Sequence, residues 1–468
     1  MSRMTNHRLG AAAVALLAFS LLLPAAPAFA QEPAGETPTV EQLEEQIDAL
    51  RRELEEMRRE RQAAEPAETD DERLAEIERR LEALSAELER VTLGKAVVEP
   101  DESFYGLGLS ASKVYQVESG LSIGGYGEML YEGFDSSRDD GTDAGATDQL
   151  DFLRAIVYFG YKFNDRWLFN SEIEFEHAST SEAGSASVEF AYLDYLWRPE
   201  ANFRAGLLLV PMGFVNELHE PPIFLGARRP DIESVIIPTT WRENGFGLFG
   251  DAGSFSYRTY VVNGLQGEDF SARGLRGGRQ KGSEALADDL AWVGRLDYTG
   301  RPGLLVGASA YIGGSGQDLT LDGRDVGLDT TIYEGHLEWR SRGWELRLLG
   351  VQASLDDVAL LNQALGLTGN RSVGEELEGW YAQLGYDVLA RRGSQRALIP
   401  YVRWEEFDTQ ADVPSGFASN PANDVEALTL GLAFKPIDQV IIKADWQDYD
   451  NGAGTALDQF NVALGYLF

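Results

Sequence analysis

The sequence predicts an all-β transmembrane barrel of about 16 antiparallel strands, preceded by an α-helical coiled-coil segment. Two observations predict the barrel: apolar and polar residues alternate with a period of two from residue 120 onward, and short turns alternate with long loops between these segments. A third, a heptad pattern within residues 31–100, predicts the coiled coil. The predicted regions are therefore 1–30, 31–100 and 101–468.

Residues 1–30 have the features of a secretory signal peptide. Arg3 and Arg8 form a basic start, residues 9–23 are apolar, and residues 28–30 read Ala-Phe-Ala, a small-x-small cleavage site. The apolar run is shorter than the ~20 residues that a membrane-spanning helix needs. We therefore expect a cleaved signal peptide, rather than a membrane anchor, and export in a Gram-negative bacterium.

The composition excludes several classes of function. The net charge is −36, from 40 basic and 76 acidic residues, and phosphate backbones require a basic face, so we expect no nucleic-acid partner. The absence of cysteine excludes disulfides, thiolate metal sites and cysteine nucleophiles. The histidines at 177, 219 and 336 are scattered. We expect no catalytic residues, no metal and no cofactor, and hence no enzyme.

Residues 31–100 contain two heptad runs. The first run has apolar residues spaced 3, 4, 3, 4 and 3 apart, at Val40, Leu43, Ile47, Leu50, Leu54 and Met57. The second has the same spacing at Leu74, Ile77, Leu81, Leu84, Leu88 and Val91. A break near Pro66 separates them. This narrow seam favours a periplasmic, self-associating coiled coil over a pair of amphipathic helices packed on another surface.

The strand segments alternate cleanly. In the last one, Phe460, Val462, Leu464, Tyr466 and Phe468 share one face, and Asn461, Ala463 and Gly465 share the other. In the segment from 167 to 178, aromatic and aliphatic residues likewise oppose Asn170 and three glutamates. A barrel places the apolar face toward lipid and the acids in a wet lumen, whereas a soluble sandwich reverses this arrangement.

The lengths of the connections between strands distinguish a transmembrane barrel from a soluble sandwich. Long connections fall at 133–149, 179–184, 212–240, 264–288, 314–329, 354–373, 408–423 and 450–456, with tight turns between them. This alternation is typical of an up-and-down barrel with periplasmic turns and external loops. A barrel of about 16 strands leaves an aqueous channel. The last strand must close against the first, because an open edge in lipid leaves backbone groups unpaired.

The loop at 212–240 is predicted to fold into the barrel and narrow the pore. It has four prolines and carries apolar residues that an exposed loop does not need. We expect Arg228, Arg229, His219 and Glu220 at this constriction, where a narrow, low-dielectric passage strengthens the effect of a charge. The alternative is a loop that makes subunit contacts.

Strand alternation also predicts charged rows inside the lumen. Facing rows of opposite charge create a transverse field that orients dipolar solutes, although each residue alone is also explained as a solvated lumen side chain. The basic members are Arg154, Lys162, Arg204, Arg258, Arg295, Arg347, Arg403 and Lys443; the acidic members are Glu172, Glu174, Glu176, Asp297, Glu405 and Asp445. The basic stretch 274–283 is predicted to be an external loop that touches lipopolysaccharide phosphates.

The stretch "NFRAGLLLVPMGFVNELHEPPIFLGARRP" resembles the strand and loop of the phosphate-selective porin O and P family, with Gly206 before a Pro-x-Gly element at Pro211 and Gly213. "SIGGYGEMLYEGF" and the preceding coiled coil are also similar to that group. The resemblance implies a homotrimeric, 16-stranded porin with a folded-in third loop. Phe468 also looks like the terminal signature that the barrel assembly machinery reads in outer-membrane proteins. The acidic barrel departs from the arginine ladder and lysine cluster that the family's phosphate-selective members are thought to have.

The sequence therefore predicts an outer-membrane porin that forms a water-filled channel for small hydrophilic or charged solutes, anions among them. The expected surroundings are outer-membrane lipid and lipopolysaccharide, with the coiled coil in the periplasm and peptidoglycan as a candidate contact. The alternative is a structural anchor that tethers the envelope through its coiled coil.

Overall fold

A computed structural model describes residues 40–63, 77, 79–81, 84, 103–179, 184–392 and 394–468. The chain divides into two compact units, Met1–Val98 and Glu99–Phe468. The predicted signal peptide at 1–30 and the break near Pro66 lie outside the described residues, as does most of the second heptad run.

The first unit contains helix α1, Val40–Ala63. Ile47 is buried and Leu50 and Leu54 are half-buried, whereas Asp48 and Glu53 are exposed. The described side chains thus follow the predicted seam, and the coiled-coil association itself stays a prediction. None of the described helices combines the length and apolar character needed to cross a membrane.

The second unit is built on sixteen barrel strands. They are β1 Gly120–Phe134, β2 Gln149–Lys162, β3 Trp167–Glu176, β4 Ser185–Arg198, β5 Ala201–Leu209, β6 Arg242–Ala252, β7 Phe255–Asn263, β8 Leu290–Arg301, β9 Leu304–Gly314, β10 Asp329–Ser341, β11 Trp344–Leu355, β12 Glu376–Tyr386, β13 Ala397–Asp412, β14 Asp424–Ile437, β15 Val440–Asn451 and β16 Gln459–Leu467. Two-residue strands Thr320–Leu321 and Arg324–Asp325 form a separate small hairpin.

The sixteen strands form a closed antiparallel barrel, which confirms the predicted barrel class and strand number. Each strand pairs with its neighbours in sequence, and β1 pairs with β16 in a register that matches Tyr126 with Leu467. Phe468 extends this seam: its N–H donates to the carbonyl of Gly125 at 2.9 Å, and the N–H of Gly125 donates back at 3.0 Å. No edge strand is left in the barrel, so its backbone groups are paired within the sheet.

Short turns and long loops alternate around the barrel, as the sequence predicts. The long connections are 135–148, 177–184, 210–241, 264–289, 315–328, 356–375, 413–423 and 452–458. The side of the barrel with these connections is the long-loop end, and the opposite side is the short-turn end. Helix α4, Val358–Ala364, lies within one of the long loops.

Side chains alternate between an apolar outer face and a buried inner face. On β8, Leu296 is 52% exposed and lies between the outward aromatic residues Trp292 and Tyr298. On β16, Leu464 and Tyr466 point outward, whereas Asn461 is 0% exposed on the inner face. An apolar band flanked by aromatic residues is the outer surface of a transmembrane barrel.

Two segments fold inside the barrel. The inner loop, residues 210–241, contains helix α3, Ile232–Val235. The lumen segment, residues 103–119, contains helix α2, Lys113–Gln116. Apolar residues of both segments, among them Leu107 and Ile236, join inward side chains of the wall in one buried cluster. The inner loop and the lumen segment therefore fill the part of the barrel interior in which they lie.

A candidate solute path in the barrel lumen

The inner loop crosses the lumen and is fastened to the far wall. The N–H of Ala227 donates to Asp445 on β15 at 2.6 Å. Lys443 on the same strand donates to the carbonyl of Gly226 at 2.9 Å, and Arg347 on β11 donates to the carbonyl of Ile223 at 2.8 Å. Charge-assisted bonds of this kind are roughly twice as strong as neutral ones, so the loop is held firmly.

A buried carboxylate holds the two halves of the inner loop together. Glu233 accepts hydrogen bonds from the Val215 N–H and the Tyr381 hydroxyl, both at 2.7 Å. Burial raises the pKa of Glu233, and these two donors oppose that effect. The loop therefore has a fixed internal fold rather than an extended path through the channel.

His219 and Glu220 do not line an open constriction, which corrects the sequence-based expectation. They are 2% and 1% exposed. The His219 ring contacts the carboxylate of Glu172 on β3 at 2.9 Å, and Glu220 accepts hydrogen bonds from the lumen segment at Ser110. Both residues contact protein groups, and the lumen segment, which the sequence pattern does not predict, occupies the space beside Glu220.

Arg228 and Arg229 diverge, although they are adjacent in sequence. Arg228 is 36% exposed and lies 3.4 Å from the carboxylate of Glu132. Arg229 instead donates to the hydroxyl of Thr239 at 3.2 Å. One of its terminal nitrogens, Nη2, is buried and has no hydrogen-bond partner among the described residues. Only Arg229 thus lies beside Thr239, near the end of the inner loop.

Four guanidinium groups meet at Thr239 and Thr240, near the end of the inner loop. We call Arg229, Arg242, Arg276 and Arg279 the arginine cluster. Arg276 and Arg279 donate to the Thr239 carbonyl at 2.8 and 2.6 Å, and Arg242 donates to the Thr240 carbonyl at 3.2 Å. Three chain segments, the inner loop, β6 and the loop 264–289, therefore converge at this point.

The arginine cluster has more arginines than ion pairs, and more distant carboxylates, among them Glu189, offset part of its charge. Arg242 pairs with Glu189 at 2.7 Å, but within the described part of the chain no carboxylate forms an ion pair with Arg229, Arg276 or Arg279. Burial and neighbouring arginines lower the pKa of Arg276 to about 10 and that of Arg279 to about 9. Both groups remain protonated at neutral pH, so an anion at this position is electrostatically favoured.

The stretch 274–283 does not lie wholly on the exterior, which corrects a second expectation. Arg276 and Arg279 turn inward to the inner loop, while Lys281 stays exposed. Hydrogen bonds to the Thr239 and Thr240 carbonyls explain this direction. The sequence signal is the spacing of the two arginines in a stretch with four glycines, but no local feature identifies their distant partners.

The structure places all of the predicted lumen charges on the inner face, but not as two open rows facing each other. Most are buried in close pairs: Arg154 with Glu174, Arg204 with Asp194, Arg258 and Arg295 with Asp297, Arg347 with Glu338, and Arg403 with Glu405. Lys162 and Lys443 bind backbone carbonyls, Asp445 accepts from the inner loop, Glu172 contacts His219, and Glu176 accepts from Ser185. Burying lone charges is costly, so neighbouring side chains neutralise one another.

The fold and its outer face define a transmembrane β-barrel with a largely filled lumen. No family model matches the chain. The chain is 39% identical to an uncharacterized protein of Aquifex aeolicus (strain VF5) over 385 residues, which cover 80% of this chain and 86% of that protein. The chain belongs to the same family as that protein.

Solved structures of outer-membrane channels are similar at low sequence identity. The Salmonella typhi OmpF complex with daunomycin is 12% identical, with a TM-score of 0.49 and coverage of 75% of this chain and 98% of that chain. The anion-selective porin from Comamonas acidovorans is also 12% identical, with a TM-score of 0.48 and coverage of 75% and 100%. The channel DcaP of Acinetobacter baumannii is 13% identical, with a TM-score of 0.47 and coverage of 74% and 97%.

Proposed function

We propose that the protein is an outer-membrane channel for small hydrophilic or charged solutes and that it favours anions. The arginine cluster carries this proposal. In a chain with a net charge of −36, three buried or half-buried arginines without ion-pair partners among the described residues form an anion-attracting position. Such a position inside a low-dielectric lumen acts more strongly than exposed charge does.

The proposed setting is the outer membrane of a Gram-negative bacterium. The apolar outer band contacts lipid, and lipopolysaccharide surrounds the long-loop end. The chain assembles as a homotrimer with its coiled coil in the periplasm, where peptidoglycan is a candidate contact. Phe468, which is 45% exposed beside the closing seam, serves as the signal for the barrel assembly machinery. The channel has no enzymatic activity and uses no cofactor.

A structural anchor is the second candidate function, and the filled lumen favours it. The inner loop and the lumen segment occupy space that an open porin leaves to water. In this alternative, the barrel holds a tether in the membrane and the coiled coil reaches toward the cell wall.

Conductance in a planar lipid bilayer separates the two candidates. The full mature protein in symmetric KCl should produce discrete conductance steps if it is a channel, and a KCl gradient should give a reversal potential on the anion-selective side. A structural anchor should give neither conductance steps nor a reversal potential. Persistent absence of conductance from a correctly folded, heat-modifiable protein would remove the channel proposal.

A further inference from the structure

The lumen segment contacts the seam at which the first and last barrel strands, β1 and β16, pair. The hydroxyl of Ser110 donates to the main-chain oxygen of Phe468 at 2.6 Å, and it accepts a hydrogen bond from the Gly125 N–H at 3.0 Å. Ser110 and Val114 are each 1% exposed. The segment is therefore bound inside the short-turn end of the barrel, against both β1 and β16.

The same segment reaches further round the wall. The Tyr115 hydroxyl donates to Asp194 on β4 at 2.6 Å and accepts from Arg204 on β5 at 2.7 Å. The ring of Tyr105 lies 4.8 Å from that of Phe249 on β6. The lumen segment thus covers the side of the mouth formed by the first strands of the barrel.

A carboxylate of the inner loop holds the lumen segment from the other side. Glu220 accepts hydrogen bonds from the backbone N–H groups of Ser110 and Ala111, at 2.8 and 3.1 Å. The fit is close: a Cβ atom on Gly108 would collide with the Glu220 carboxyl group. The two inserted segments therefore form one continuous partition.

This partition has partners on fifteen of the sixteen barrel strands. The lumen segment provides those on β2, β4, β5 and β6, and the inner loop or its flanking residues provide the others. The wall partners in strand order are Glu132, Lys162, Glu172, Asp194, Arg204, Phe249, Arg258, Arg295, Tyr311, His336, Arg347, Tyr381, Glu405, Asp445 and Gln459. The two inserted segments therefore narrow the lumen from several sides of the wall.

We propose that the lumen segment is a plug, and that solute passes when it withdraws from the short-turn mouth. The plug is held by polar contacts, among them those with Asp194, Arg204 and Glu220, and by packing of its apolar residues. Lys113 Nζ and Glu220 Oε2 are buried without hydrogen-bond partners among the described residues, a costly arrangement that favours release.

This inference rests on the proposed channel function, and a disulfide test examines it directly. The chain has no cysteine, and a Cβ atom on Gly124 would lie 2.5 Å from Ser110 Oγ. Ser110→Cys with Gly124→Cys should therefore form a cross-link under oxidation. We expect oxidation to lower bilayer conductance at least tenfold and dithiothreitol to restore it. Each single cysteine variant should not respond to oxidation.

Gly108→Ala provides the opposite test, because its methyl group displaces the plug from Glu220. We expect conductance to rise several-fold, and Ser110→Cys in this background to react faster with a water-soluble maleimide. Gly335→Ala, on the outer face of β10 with no atom within 4 Å of the added methyl group, is the control. The effect of oxidation on conductance is also measured for Ser110→Cys with Gly124→Cys in the Gly108→Ala background.

The outcomes are distinguishable. If the oxidised pair conducts as well as the reduced pair, solute passes beside the segment and the plug is disproved while the channel stands. If neither the reduced pair nor Gly108→Ala conducts, the channel proposal fails and gating by the plug fails with it, even where maleimide labelling shows that the segment withdraws.

Discussion

Arg279 Nη1 donates a 2.6 Å hydrogen bond to the backbone carbonyl of Thr239, and this bond joins two loops that leave different strand pairs. Thr239 is 2% exposed and lies near the end of the inner loop, whereas Arg279 belongs to the loop 264–289. The bond turns an arginine of an outer loop toward the lumen. It therefore places a cation from one loop beside Arg229 from another.

The first prediction concerns ion selectivity. Arg229→Ala should shift the reversal potential toward cations, because it removes a lumen charge that has no ion-pair partner among the described residues. Arg228→Ala is the matched control, since Arg228 already lies near Glu132 and Asp231 and is more exposed. The shift should persist at 1 M salt, where exposed charges are screened over ~3 Å. Equal shifts from both variants would show that the arginine cluster has no special role.

The second prediction concerns the membrane band. Leu296→Arg should impair assembly, because arginine at mid-membrane depth in a barrel costs about 2–4 kcal/mol. Leu290→Arg, on the same face of β8 but beyond Trp292 at the long-loop end, should cost about 0–1 kcal/mol. Heat-modifiable migration of membrane-extracted protein measures folded barrel. Similar amounts of folded barrel from both variants would show that the lipid boundary lies elsewhere on β8.

The third prediction concerns the oligomer. Deleting residues 31–95 should weaken the trimer in detergent, because it removes both heptad runs. Light scattering after size-exclusion chromatography gives the mass of the protein component. A full-length protein that is monomeric in this measurement would contradict self-association through the seam.

The fourth prediction is a pH dependence that centres on Glu220. Burial raises its pKa from 4.5 to about 7, and its charged or titratable neighbours are His219, Glu172, Tyr158 and Lys113. The folded state therefore binds a proton more tightly than the unfolded state does. The contribution of Glu220 to stability should fall as pH rises from about 4.5 to 7, by at most about 3 kcal/mol.

Thermal unfolding between pH 5 and pH 8 measures this effect. The wild-type midpoint should fall by a few degrees more than that of Glu220→Gln, which cannot ionise. Both variants share the remaining titratable groups, so their difference isolates position 220. A larger fall in the unfolding midpoint of Glu220→Gln would show that ionisation of Glu220 stabilises the folded state, contrary to this prediction.

The barrel was predictable because its signal is periodic and repeated along the chain. Phe460 to Phe468 alternates without a break, and a one-residue shift would move every apolar residue to the wrong face. The turn and loop pattern then gives the up-and-down order. Local sequence therefore carries most of the information for the strands, including the pairing of neighbours.

The lumen was only partly predictable, because its contacts join residues far apart in sequence. The stretch "YGLGLSASK" reads as an ordinary linker, and nothing near Ser110 indicates that Phe468 and Glu220 accept its hydrogen bonds. Likewise, alternation predicts that Arg204 faces inward but not that Asp194 neutralises it at 2.9 Å. Charge pairing depends on strand register, which single side chains do not specify.

The seam between β1 and β16 also has a consequence for the order of folding. The other fifteen neighbouring pairs join strands adjacent in sequence, whereas the seam matches Tyr126 with Leu467. Loop-closure entropy makes such a distant pairing slow, so we expect it to form after the local hairpins. Ser110 hydrogen-bonds both Gly125 and Phe468, so its complete site exists only in the closed cylinder. We therefore expect Ser110 to lose contact with solvent only in the final step of barrel biogenesis.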